Sequence, residues 1–185
     1  MPMIEITEAT DARLKGVARP LQDTYDSVIA RLLDAYEAHQ KDQPRKPGEP
    51  VKVEDNTLYF DAKSPPPLAF TTLTRVVLDG EEFTKADTFW NKLMNRMIVE
   101  AAKAGHDPAA ILKMLSVNAV PGEKTDNGYT FLSDAGLSVQ GTESNAAFRQ
   151  AFQLAAKLGR DLRVFFYWQD NEKAVYPGHR GVVEV

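Results

Sequence analysis

Polar and apolar residues alternate at the very start of the chain, in Met3-Ile4-Glu5-Ile6-Thr7, and then the spacing becomes helical. The alternation predicts a short strand over residues 3–7, with Ile4 and Ile6 on one side and Met3, Glu5 and Thr7 on the other. Thr7 is suited to cap a first helix reaching Val17, with Ala9, Leu14 and Val17 among its apolar positions. Pro20 interrupts the pattern, and Thr24 can cap a second helix. There Val28, Ile29, Leu32, Leu33 and Tyr36 recur at helical spacing and form one broad apolar face. The pattern decays after His39, and the polar, proline-rich residues 41–50 suggest a linker. Residues 51–85 are mixed: Leu58-Tyr59-Phe60 fits a strand, Ser64-Pro65-Pro66-Pro67 must be extended, and 72–78 fits a strand ending at Asp79-Gly80.

The rest of the chain is more regular. Asp87 or Thr88 can cap a helix striped by Trp90, Leu93, Met94, Met97, Ile98 and Ala101 and closed by Gly105. Asp107-Pro108 opens a short helix carrying Ile111, Leu112 and Leu115, with proline in its favoured first-turn position. Residues 129–132 and 137–140 flank Ser133-Asp134-Ala135-Gly136, a hairpin signal. A third strong helix spans 145–158 and ends at Gly159. Residues 162–168 follow as a continuous apolar and aromatic strand with a turn at Asp170-Asn171. The expected fold class is α+β, in three parts. Residues 1–40 form a strand-helix-helix unit, 41–67 a linker, and 68–185 a C-terminal mixed α/β domain with a small antiparallel sheet.

One strand and two short helices enclose no core alone, so the first unit is expected as a homodimer, its strand pairing across a two-fold axis. Ile4, Ile6, Val28, Ile29, Leu32, Leu33 and Tyr36 would be buried between the copies. With 185 residues and 43% hydrophobic content the chain can build a real core. It has no run long and apolar enough for a membrane span and no signal-peptide pattern at its start. Cysteine is absent, which removes disulfides and thiolate chemistry and suits a cytoplasmic protein. The net charge is −4, and residues 1–43 carry five basic against eight acidic side chains, whereas 86–185 carry eleven of each. The N-terminal unit is the acidic part.

Enzyme signatures are missing. His39, His106 and His179 lack metal-ligand spacing, and no phosphate-binding loop, nucleophile elbow or dinucleotide fingerprint occurs. No catalytic residue, metal or cofactor is therefore expected. The helix over 145–158 carries the best positive signal. With Phe148, Ala151, Phe152, Ala155 and Leu158 inward, Asn145, Arg149, Gln153 and Lys157 stack along the other side, with Gln150 beside them. Asn, Gln and Arg make paired hydrogen bonds to base edges, and Lys suits phosphates. Gln140, Thr142 and Ser144 precede the helix, where free N–H groups favour a phosphate. Arg160 and Arg163 extend the positive character, and His179-Arg180 lies in a loop that offers a second phosphate contact. Solvated helix faces carry the same residue types, so both readings stay open.

The strand-helix-helix pattern resembles the ribbon-helix-helix family. Ile4-Glu5-Ile6, the helix after Thr7 and Asp26-Ser27-Val28-Ile29-Ala30-Arg31-Leu32-Leu33 are similar to the N-terminal oligomerisation domain of the SeqA family of replication-initiation modulators. The order of Pro121-Gly122, Tyr129-Thr130-Phe131 and the turn at 142–145 resembles that family's DNA-binding domain. The resemblance implies replication or transcription regulation, with a linker joining a dimerising unit to a DNA-binding domain. Ribbon-helix-helix proteins usually lay the paired strands in the major groove. An outward Glu5, doubled by the two-fold axis, would repel phosphates there. The expectation is therefore a homodimeric DNA-binding protein, regulatory or related to DNA modification, that contacts double-stranded DNA through its C-terminal domain. The rivals are a repressor or antitoxin that binds DNA by its N-terminal strand and a protein partner by its C-terminal domain, and an enzyme such as a nuclease accessory.

Overall fold

A computed structural model describes residues 6–19, 22–42 and 47–184, the side chains of 36–42 excepted. Two units are distinguishable, residues 1–45 and 46–185. In the first, α1 (Glu8–Val17) starts where Thr7 accepts the N–H of Thr10 at 3.3 Å, as its sequence predicts. Before α2 (Tyr25–Asp42), Thr24 and Ser27 form a reciprocal box. The Ser27 N–H donates to Thr24 Oγ1 at 3.2 Å and the Thr24 N–H to Ser27 Oγ at 2.8 Å. Arg31 ties the two helices by donating to Asp23 at 2.8 Å and to the Val17 carbonyl at 2.7 Å. The Tyr25 hydroxyl donates to Asp11, which also pairs with Lys15 at 2.7 Å. The strand expected over 3–7 lies mostly outside the described residues; Ile6 is 46% exposed and Thr7 is extended.

The second unit holds two sheets and three helices among the described residues. Strands β1 (Lys52–Glu54) and β2 (Thr57–Asp61) form a hairpin across Asp55-Asn56. Both turn residues have positive φ, 43° and 63°, a conformation that Asp and Asn tolerate better than most residues. Next come β3 (Thr71–Leu78), the two-residue β4 (Glu81–Glu82), α3 (Trp90–Lys103) and α4 (Pro108–Met114). They are followed by β5 (Ala119–Pro121), β6 (Tyr129–Leu132), β7 (Leu137–Gln140) and α5 (Ser144–Leu158), and finally by β8 (Leu162–Trp168) and β9 (Arg180–Glu184). Six strands make one sheet in the order β1-β2-β9-β8-β3-β4, and three make another in the order β5-β7-β6.

Three expectations change here. The stretch 41–67 is not all linker, because β2 pairs in parallel with β9, from Thr57 opposite Arg180 to Asp61 opposite Glu184. The main sheet is accordingly six-stranded and mixed, and only the three-stranded sheet is small and antiparallel. A partner more than a hundred residues away leaves no local trace in the sequence. The start of α3 also shifts: Asp87 ends a 3-10 turn, Thr88 donates to the Thr84 carbonyl at 2.8 Å, and Phe89 is the N-cap.

Leu58, Phe60, Val76, Leu162, Val164, Phe166, Trp168 and Val183 form one side of the main sheet and join the core with α3 and α5. Trp168 is fully buried and its indole N–H donates to the Pro67 carbonyl at 3.0 Å, which holds the proline stretch against the core. Gly181 is required by this packing. A Cβ there would lie 2.5 Å from Phe166 Cε2 and 3.0 Å from Trp168 Cζ3.

Candidate nucleic-acid interface

The N-terminus of α5 is closed by the protein itself. Glu143, overlooked in the sequence pattern, is the N-cap and accepts the N–H groups of Ala146 and Asn145, both at 2.7 Å. Burial pushes its carboxyl pKa up, but these bonds, the Asn145 side chain and nearby Arg149 outweigh that and hold it below the ordinary value. The site expected for a phosphate thus already holds an anion. Asn145 and Ser144 grip the backbone of Leu68: its N–H donates to Asn145 Oδ1 and its carbonyl accepts from Ser144 Oγ, both at 2.8 Å. Thr142 is held through its backbone by Asn91. Gln140 accepts from Asn118 at 2.8 Å and donates to the Asn127 carbonyl at 3.0 Å.

Other expected contacts are also engaged within the chain. Gln150 is fully buried rather than beside the polar strip, and its Oε1 accepts the Ser116 N–H at 2.6 Å. Helical spacing alone misplaced it, because Gln150 lies at the border of the two faces and a buried partner decided its side. Arg160 donates to Asp79 at 2.6 Å and to Glu100 at 3.0 Å. Arg163 pairs with Glu184 at 2.7 Å. His179 bonds the Pro177 carbonyl and stacks edge-on to Tyr176. From α5 there remain Arg149, Gln153 and Lys157, exposed along one strip, with Arg149 3.9 Å from Glu143.

Arg163 and Arg180 both lie on a different surface, the side of the six-stranded sheet that faces away from the core. Period-two alternation places three cross-strand rows there. The middle row is Lys52–Tyr59–Val182–Phe165–Arg75. On one side of it runs Glu54–Thr57–Arg180–Tyr167–Thr72. On the other runs Asp61–Glu184–Arg163–Val77–Glu82, with three carboxylates to one guanidinium. Lys52 lies 5.4 Å from the Tyr59 ring centroid and Arg75 5.3 Å from that of Phe165, so a cation covers each end of the middle row. Tyr167 is 40% exposed, and no ring contact joins Tyr59, Phe165 and Tyr167. A trough of about 630 Å³ runs over this face.

The cations at the ends are only loosely committed. Lys52 pairs with Glu54 at 2.6 Å and Arg75 with Glu82 at 2.7 Å, in exposed bridges that water and salt screen. Arg180 makes no ion pair among the described residues. The signal was present in the sequence: residues 162–168 read as a run of apolar and aromatic residues, yet Arg163, Phe165 and Tyr167 alternate with Val164, Phe166 and Trp168. No group of three His, Asp or Glu able to hold a metal occurs among the described residues, and no described helix is long and apolar enough to cross a membrane. No family model, curated protein or solved structure matches the chain.

Proposed function

We propose that this is a nucleic-acid-binding protein that self-associates through its N-terminal helices and makes its contact with the C-terminal unit. The observation that carries the reading is the open sheet face, where solvent-accessible aromatic rings are bracketed by Lys52, Arg75 and Arg180. Cations beside π-faces are the equipment for phosphates and bases together. Self-association is supported by α2: Ile29, Leu32 and Leu33 are 43%, 44% and 55% exposed, and only Val28 of this helix is buried among its described side chains. Two such units gain from burying that apolar face against each other. Ile4 and Tyr36, expected in the same contact, have no described side chains. Pairing two weak binding surfaces raises avidity and offsets the acidic net charge.

A second reading places double-stranded DNA against the strip of Arg149, Gln153 and Lys157 on α5, whose exposure supports it. Because β2 and β3 belong to the main sheet, the test needs the full chain rather than a fragment beginning at residue 86. Anisotropy titrations with labelled single- and double-stranded oligonucleotides, beside sedimentation of wild type and a Leu32→Ser, Leu33→Ser variant, test both parts. Binding by a dimer that the variant loses supports the proposal. Absence of any oligonucleotide binding at low salt refutes it.

A further inference from the structure

We infer that the open sheet face takes a single-stranded oligonucleotide, with its bases stacked one by one on Tyr59, Phe165 and Tyr167; this rests on the nucleic-acid reading above. The spacing of the rings decides the form of the ligand. Phe165 and Tyr167 are two residues apart on β8, about 7 Å, and Tyr59 and Phe165 are two strands apart, about 9.5 Å. Bases within a duplex follow one another every ~3.4 Å and show only their edges in the grooves. Rings two to three times farther apart can meet successive base faces only if the bases are unstacked from one another, which a single strand allows and a duplex does not.

The charges give the strand a path. The row holding Asp61, Glu184 and Glu82 repels phosphate on one side of the trough. Arg180, next to Tyr167, and Lys52 and Arg75 at the ends of the middle row attract it on the other. The sugar-phosphate backbone therefore crosses the β-strands over Arg180 and the Tyr59–Phe165 row, away from the acidic row, and about three nucleotides fill the site. Phosphate draws Lys52 and Arg75 off the Tyr59 and Phe165 rings that they cover, which frees those faces for bases. Glu54 and Glu82 give up their cations at small cost because both bridges are exposed. The bases are taken by their faces, which implies weak sequence preference.

The test uses the full chain with fluorescein-labelled dT10, rU10 and a blunt-ended duplex, followed by anisotropy at several salt concentrations. Expected are tighter binding of dT10 or rU10 than of the duplex, and a slope of log K against log salt near −2, about 0.7 for each of three cations. Tyr167→Ala should weaken single-strand binding roughly 5- to 100-fold, as stacking losses do. Arg180→Gln should lower affinity and flatten the salt slope. Both side chains are exposed, so circular dichroism should show unchanged folding. An Arg149→Ala, Lys157→Ala variant should bind dT10 as wild type does. Preference for dT10 or for rU10 identifies the sugar and supports the assignment equally. Tighter duplex binding that the α5 variant loses overturns this inference but leaves the nucleic-acid proposal standing, while no binding of any oligonucleotide overturns both. Single-strand binding untouched by Tyr167→Ala and Arg180→Gln overturns the site. So does a Tyr167→Ala protein that binds dT10 normally but loses a dimer, which would make the face a contact between copies.

Discussion

Arg160→Ala separates the role expected from sequence from the one the fold imposes. As a DNA contact, Arg160 would be thermodynamically silent in the free protein. In the structure it bridges Asp79 at 2.6 Å and the largely buried Glu100 at 3.0 Å. Arg96 and Lys103 both approach the other oxygen of Glu100, Oε1, at 3.0 Å, so truncation leaves Oε2 without a partner. An unsatisfied buried acceptor costs about 1–3 kcal/mol. The more exposed Asp79 bridge adds ~0–1 kcal/mol. Because Arg160 is itself one-third exposed and Glu100 keeps two cations, the expected loss is about 2 kcal/mol. For a unit of this size that lowers the melting temperature by roughly 4–8 °C. Thermal and urea unfolding by circular dichroism measure it, and oligonucleotide affinity should stay the same. Adding Glu100→Gln should recover part of the loss, with a coupling of about 0.5–3 kcal/mol. If Arg160→Ala melts with wild type and loses oligonucleotide binding, the structural role assigned to it is wrong.

Gly181→Ala forces a methyl against two buried rings that have no room to move, so destabilisation of about 1–3 kcal/mol should appear in urea melts; an unchanged midpoint would contradict the packing. Acidification should weaken the N-terminal helices and the start of α5. The Lys15 ammonium and then the Tyr25 hydroxyl hold Asp11 below its ordinary pKa, the Arg19 N–H and Arg31 do so for Asp23, and Glu143 is lowered by its cap bonds. Groups with depressed folded pKa values contribute stability that is complete above their ordinary values and is lost as pH falls through the folded ones. Helical ellipticity should therefore decline from about pH 5 downward. Asp11→Asn should make the α1–α2 part of that decline shallower, and identical acid profiles would count against these contacts.

Much of the local structure was legible. Thr7, Asp107-Pro108, Gly136 and Gly159 marked element ends because capping and left-handed turns are satisfied by residues close in sequence. Apolar periodicity located α3 and α5, and a continuous apolar run located β8, for the same reason. The Asp55-Asn56 hairpin also had a local signal, hidden by the prolines around it. The site was less legible. Asn145, Gln150 and Arg160 are polar residues of the kind that bind bases, and their types say nothing of whether a partner from Leu68, Ser116 or Glu100 has already taken them.

The sequence by itself determined the helices, their main apolar faces and the strands β2, β3, β6, β7 and β8, since those depend on neighbours within a turn or two. Only the tertiary structure decided what the polar residues do. Pairing β2 with β9 brought Tyr59 into line with Phe165 and Arg75, three side chains separated by strand order rather than by any sequence period. Pairing β9 with β8 buried Gly181 against Phe166 and set Arg180 beside Tyr167. Hydrogen bonding is exclusive and strand register is global, so the candidate surface moved from the helix to the open sheet.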